Sequence, residues 1–249
     1  MAEKGKGGRV GILDEVRGVA IILVVIYHTL YDLVDIFGVN MPFFYSDWFN
    51  SLRDIFAGSF VFVAGASSRY SKNNMKRGIQ IFFIGMVMTF VVPFFLNGST
   101  IKFGILHLLG VCMMIFGLWE KGFDLLPALV TFIISVLLFA VTFNIRMGYI
   151  GFDGLFQLYL PQGLYDSGYM FPLGLPSKNF SSADYFPLMP WFFLFTAGTA
   201  FGVWAKNGSL PKFCYNTHCK WLANIGKHTI WIYVLHQPVI FLILTLIFK

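Results

Sequence analysis

The sequence predicts an all-α, polytopic bundle of membrane-spanning helices, on three observations. Of its 249 residues 57% are hydrophobic and only 12% charged, a balance too apolar for a water-soluble domain. Seven apolar runs approach or exceed the roughly 17 residues that can cross a bilayer. Lys and Arg gather in alternate connections between those runs, as cytoplasmic loops do.

The runs fall at residues 16–37, 52–68, 79–96, 103–119, 125–143, 188–205 and 225–248. That makes about seven spans, or eight if part of the long connection at 144–186 also enters the membrane. The chain reads as a single integral membrane domain over 1–249, with the Lys- and Gly-rich arm at 1–9 expected to be disordered. No small-residue cleavage site follows the first run, so that run is expected to be its own anchor. Alternating the spans puts the arm and the 69–77, 120–124 and 206–227 segments on one side. With Arg17 at the start of the first run, these hold thirteen of the eighteen Lys and Arg residues, which places the N-terminus in the cytoplasm. The setting this suggests is a multi-pass protein of a bacterial-type cell membrane. The net charge of +6 then faces anionic lipid headgroups, or a phosphorylated cytosolic cosubstrate. It requires no nucleic acid, and the sequence leaves room for a homodimer.

The first span organises the rest. Residues 14–35 read DEVRGVAIILVVIYHTLYDLVD. At about 100° per residue, with Arg17 as zero, His28 falls near 20°, Asp14 and Asp32 near 60°, and Asp35 back at zero. All five share one stripe, while Glu15 points away near 160°. An ionisable group near the bilayer centre costs roughly 3 kcal/mol on insertion scales, so such a stripe is expected to face protein or a water-filled cavity. Asp14, Arg17 and Asp35 read equally well as interface charges; His28 with Asp32 one turn on does not. Eleven residues, roughly 16 Å, put Arg17 at one surface and His28 well inside.

In the second span Ala57, Gly58, Ala64 and Gly65 permit a close helix approach, or a thin extended ligand against the first helix. The 69–77 loop, RYSKNNMKR, is expected to be a solvated basic loop and is well placed to receive phosphates. His107, in FGILHLLG, reads equally as a hydrogen-bonded packing residue and as a functional group. Cys112 is expected to be a small buried hydrophobe. Cys214, His218 and Cys219 lack the fourth ligand and spacing of a zinc site, and no metal is expected. The outer connection at 144–186 is too aromatic to be disordered and long enough to be functional. Pro187 and Pro190 open the sixth span, where Trp191 suits the interface. The last span, IGKHTIWIYVLHQPV, is interrupted near mid-depth by Tyr233, His236 and Gln237, with Pro238 kinking it or freeing a carbonyl.

An imidazole paired with a carboxylate one turn away holds the tautomer that leaves its other nitrogen free as a base or nucleophile. The arrangement suits a long cosubstrate lying along the helix, its anionic end on the basic inner surface and its reactive tip at His28. A stripe of Asp, Arg and His would equally serve a proton-coupled transporter. Against that reading, no two halves carry corresponding broken helices. A scaffold with a polar packing stripe is the third reading.

Arg17, ten residues and then His28 resembles the arginine–histidine signature of the membrane-bound acyltransferase-3 families. LDEVRG is similar to the LDxxRG opening of the related heparan-α-glucosaminide N-acetyltransferase catalytic-domain family. FVFVAGAS, SADYFPLMPWF and IGKHTIWIYVLHQPV resemble that family's FxFxxGxS, DYFPLxPWF and closing GrxSLxxYxxHQP segments, in order along nearly the whole chain. The resemblance implies a transmembrane acyltransferase that moves acetyl, or another acyl group, from cytosolic coenzyme A to a sugar amine or hydroxyl at the outer side. Acetyl-CoA would be a cosubstrate, with no tightly bound cofactor. Carried onto this sequence, Arg17 with Asp14, Lys76 and Arg77 would form the donor side. His28 would be catalytic base or transient acyl carrier, with Asp32 orienting its ring. His107, Asp184, Tyr233, His236 and Gln237 would line the acceptor side.

Overall fold

A computed structural model describes residues 10–94 and 100–248; the arm at 1–9 lies outside the described residues. In chain order its helices are α1 (Gly11–Tyr31), α2 (Asp47–Ser68), α3 (Asn74–Val91), α4 (Ile105–Leu118), α5 (Glu120–Phe123) and α6 (Ala128–Thr142). Two strands follow, β1 (Tyr149–Phe152) and β2 (Phe156–Tyr159). The chain then forms α7 (Gly163–Asp166), α8 (Leu188–Lys206), α9 (Lys212–Tyr215), α10 (Lys220–Lys227) and α11 (Thr229–Phe248).

Among the described residues five helical stretches are long and apolar enough to cross a membrane: Gly11–Ile36, Asn74–Phe94, Ala128–Met147, Leu188–Lys206 and Thr229–Phe248. They coincide with five of the seven runs expected. The other two runs fold as α2, 22 residues long with Asp47, Arg53 and Asp54 in its first half, and as α4. With only 14 residues, α4 reaches roughly 21 Å at the helical rise, short of a hydrocarbon core.

The chain forms two compact units, Met1–Val63 with Asn207–Lys249, and Ala64–Lys206. The first is built on α1, which packs against α10 and α11. A Cβ on Gly18 would collide with the Leu222 carbonyl, and one on Gly226 with the Asp14 carbonyl, so only hydrogen at both positions lets these backbones touch. Glu15, expected to point away from the polar stripe, accepts the backbone N–H groups of His218 and Cys219 at 2.5 and 2.8 Å. It thereby ties the entry of α10 to α1. The run at 225–248 is not one helix: α10 ends at Lys227, with His228 as its cap, and α11 starts at Thr229.

After Tyr31 the first span continues as a π-helical turn, Asp32–Ile36. The wider turn carries Asp35 off the 100° register. Asp35 is exposed there and accepts the Tyr45 hydroxyl at 2.6 Å, so it leaves the predicted stripe.

In the second unit α3 pairs with α4, and α6 with α8. The close approach expected of the second span is met at Gly65, where a Cβ would strike the Phe195 carbonyl of α8. The basic loop is shorter than expected, because Asn73 caps α3 by accepting the Lys76 N–H at 2.8 Å. Lys76 and Arg77 therefore stand exposed in the first turn of a helix. Arg69, expected in solvent, is 7% exposed. Its guanidinium pairs with Asp124 at 2.8 Å, donates to the Thr199 carbonyl at 3.1 Å and lies over the Phe116 ring. Trp191, expected at the interface, is buried against Phe139 and Phe186. Cys112 is fully buried, as its surroundings suggested.

The 144–186 connection departs from an all-α plan. β1 and β2 form an antiparallel hairpin with Phe152 opposite Phe156, turned by Asp153 and the left-handed Gly154 (φ 76°). Asp153 Oδ1 accepts from Tyr149 and Gln157 at 2.7 and 2.6 Å, fastening the turn to both strands. Ile145, Tyr165 and Leu175 form a small core beneath it.

Candidate active site

The polar stripe of α1 meets α11. Asp32 is fully buried, and both its carboxylate oxygens accept from the Gln237 amide nitrogen, at 2.7 and 2.9 Å. One turn earlier the His28 ring lies 4.9 Å, centroid to centroid, from that of His236, with Tyr27 edge-on at its other side. Among the described residues no hydrogen bond joins His28 to Asp32. The carboxylate that was expected to orient the imidazole is instead clamped from the neighbouring helix. The ring keeps its bearing by contact with other rings.

His236 Nδ1 is 2.6 Å from the Tyr233 carbonyl one turn back, and the Tyr233 and His236 rings touch. Pro238 sits within α11; having no N–H, it leaves the carbonyl one turn before it without its usual donor. Five of the residues singled out by sequence, His28, Asp32, Tyr233, His236 and Gln237, are thus brought together on two adjoining helices.

Toward the start of α1, Arg17 Nη1 pairs with Asp14 Oδ1 at 3.0 Å, the Arg17 side chain being 21% exposed and that of Asp14 8%. This is an i,i+3 pair within one helix, just where α10 crosses. The residues expected on the donor side are divided between the two units, Asp14 and Arg17 in the first and Lys76 and Arg77 in the second.

His107 and Asp184 serve the start of α4. Asp184 Oδ2 accepts the Ile105 N–H at 3.0 Å. His107 Nδ1 accepts the Gly104 N–H at 3.2 Å, so the hydrogen of the neutral ring is on Nε2, 3.4 Å from Thr89 Oγ1. Thr89 in turn donates to the Ile101 carbonyl at 2.7 Å. Residues 182–186 run beside 100–105, with Ala183 and Phe186 donating to the carbonyls of Thr100 and Phe103. Two otherwise orphaned N–H groups at a buried helix start are satisfied in this way. His107 is thus buried and hydrogen-bonded at the start of α4.

Cys214 and Cys219 are unbridged, and the His218 ring is turned to the Phe213 carbonyl at 2.9 Å. No group of three metal-ligating side chains occurs among the described residues.

A family model described as the catalytic domain of heparan-alpha-glucosaminide N-acetyltransferase matches residues 9–238. The chain belongs to this family. No curated protein and no solved structure matches it. Membership makes it a member of an acetyltransferase family, and its five long apolar helices make it a membrane protein. The family match ends at Pro238, one residue past the Gln237 clamp, so it takes in both paired histidines and the first half of α11.

Sequence reasoning missed two anchoring side chains, Glu15 and Arg69, and the partner of a third, Gln237. Glu15 carried no signal, since its partners are backbone amides two hundred residues away. Arg69 had one: it adjoins the apolar run at 52–68, where a long cation can turn back into protein. Gln237 was marked as polar and mid-span, but nothing in the sequence named Asp32 as its partner.

Proposed function

We propose that the chain transfers an acetyl group from acetyl-CoA to an amine or hydroxyl of a sugar-like acceptor. The donor is drawn from the cytosol and the acceptor is met at the outer side. In this reading α2 and α4 join the five long helices to give seven spans in a bacterial-type cell membrane, with the N-terminus cytoplasmic and the basic segments against anionic lipid. Family membership supports acetyl transfer. The observation that carries the site is the His28–His236 ring pair above the buried Asp32–Gln237 clamp. A proton-coupled transporter gains no support from family membership.

Arg17 anchors the donor's phosphates and His28 meets its thioester, eleven residues or roughly 16 Å further along the same helix. That separation suits a long, thin donor with a charged head and a reactive tip. The acceptor's nucleophile attacks the thioester carbonyl and its proton passes to His28. The carbon–sulfur bond breaks with its electron pair on sulfur, and a proton completes the free thiol. Family membership selects the donor's chemistry; the chain supplies the anchor, the base and a site walled by two helices.

The test is transfer of labelled acetyl from acetyl-CoA by the full chain in lipid nanodiscs. Arg17→Ala should raise the KM for acetyl-CoA at equal protein abundance, and His28→Ala should abolish turnover while leaving coenzyme A binding intact. Donor affinity unchanged in Arg17→Ala removes Arg17 from the donor site. Full turnover in His28→Ala removes the base.

A further inference from the structure

Among the described residues three buried polar atoms on α11 have no hydrogen-bond partner, Thr245 Oγ1 two turns on and, side by side, His236 Nε2 and Gln237 Oε1; the adjacent pair faces α1. Their residues are 9% and 7% exposed. What the other end of each side chain does fixes the character of both atoms. Gln237 turns its amide nitrogen to the Asp32 carboxylate, so the atom left over is the carbonyl oxygen, which only accepts. The Tyr233 carbonyl beside His236 Nδ1 also only accepts. The hydrogen of the neutral ring is therefore on Nδ1, and Nε2 presents a lone pair.

Two adjacent residues thus offer two acceptors and no donor, on the helix that faces α1, with the His28 ring 4.9 Å from that of His236. Buried acceptors of this kind call for a ligand that brings hydrogens. An amine or an alcohol brings them. A carboxylate or phosphate brings only lone pairs, and would meet the Asp32 carboxylate as well.

We propose that His236 and Gln237 hold the acceptor substrate, accepting one hydrogen from its nucleophilic amine and another from a neighbouring hydroxyl, and so set the amine, with its second hydrogen, beside His28. This rests on the acetyl-transfer reading and adds to it the residues that choose and position the acceptor. His236 is then a substrate-holding group whose ring orientation is fixed by the Tyr233 carbonyl, while the proton is taken by His28.

The experiment uses the full chain in nanodiscs with glucosamine as probe. In protein labelled with nitrogen-15 histidine, the His236 Nε2 resonance should move saturably with glucosamine and stay in place with acetate. A resonance unmoved by glucosamine overturns the proposal, whatever the transfer assay shows. In steady-state kinetics His236→Asn keeps an amide near the Tyr233 carbonyl but loses the far acceptor. It should raise the glucosamine KM by about tenfold with the acetyl-CoA KM unchanged, the loss expected for one uncharged hydrogen bond. His236→Gln, which can return an oxygen to the far position, should recover most of that loss. Equal KM for glucosamine in all three proteins overturns the proposal. A wild type that binds glucosamine at His236 without acetylating it would count against the acetyl-transfer reading and leave the holding pair standing.

Discussion

The Gln237 amide nitrogen donates to both carboxylate oxygens of Asp32, at 2.7 and 2.9 Å, across two helices that lie 205 positions apart in sequence. The carboxylate is fully buried, so its stability contribution depends on keeping that donor. Gln237→Leu should cost about 3 kcal/mol, because it strands a buried carboxylate. The double change Asp32→Leu with Gln237→Leu should cost less than the single one, since neither partner is left unpaired. Unfolding in mixed micelles measures both, and strictly additive losses would show that the two residues are not coupled.

Gly226→Ala and Gly18→Ala each place a methyl against a backbone carbonyl of the opposing helix. A carbonyl held in a helix cannot swing aside as a side-chain tip can, so each should destabilise by about 1–3 kcal/mol. Thermal unfolding should show a lowered Tm for both, while Gly38→Ala, with open space around it, reports only on the cost of its left-handed backbone.

Glu15→Ala removes the acceptor for two backbone N–H groups at the entry to α10. The expected loss is about 1 kcal/mol, comparable with a helix cap. Faster hydrogen exchange at His218 and Cys219, with α11 unchanged, would identify the tie.

Asp184→Asn should be nearly silent, because an amide oxygen can still accept from Ile105. Asp184→Ala should cost about 1 kcal/mol by uncapping α4. Turnover corrected for folded protein should stay level in both. A change in acceptor KM, with stability intact, would return Asp184 to the acceptor side.

The membrane class, five long spans and the polar face of α1 were legible because they rest on composition and on a 100° period. The pairing of that face with α11 was half legible: His28, His236 and Gln237 stood out as polar groups at depth, but sequence carries no distance between residues so far apart. The hairpin had a readable cue in Asp153-Gly154 that the surrounding aromatics obscured. Arg69 and Trp191 were misplaced for one shared reason: charge and amphipathicity say where a side chain is comfortable alone. They do not say which partner, such as Asp124 for Arg69, changes that preference.

A rod secured at a single place can still roll about its long axis. α1 is secured at two, by the glycine crossing at Gly18 and Gly226 and, roughly 21 Å further along, by the bond from Gln237 to Asp32. The bearing of the His28 imidazole toward His236 accordingly depends on both fastenings as well as on the rings around it, and loosening either one should disorder the ring pair.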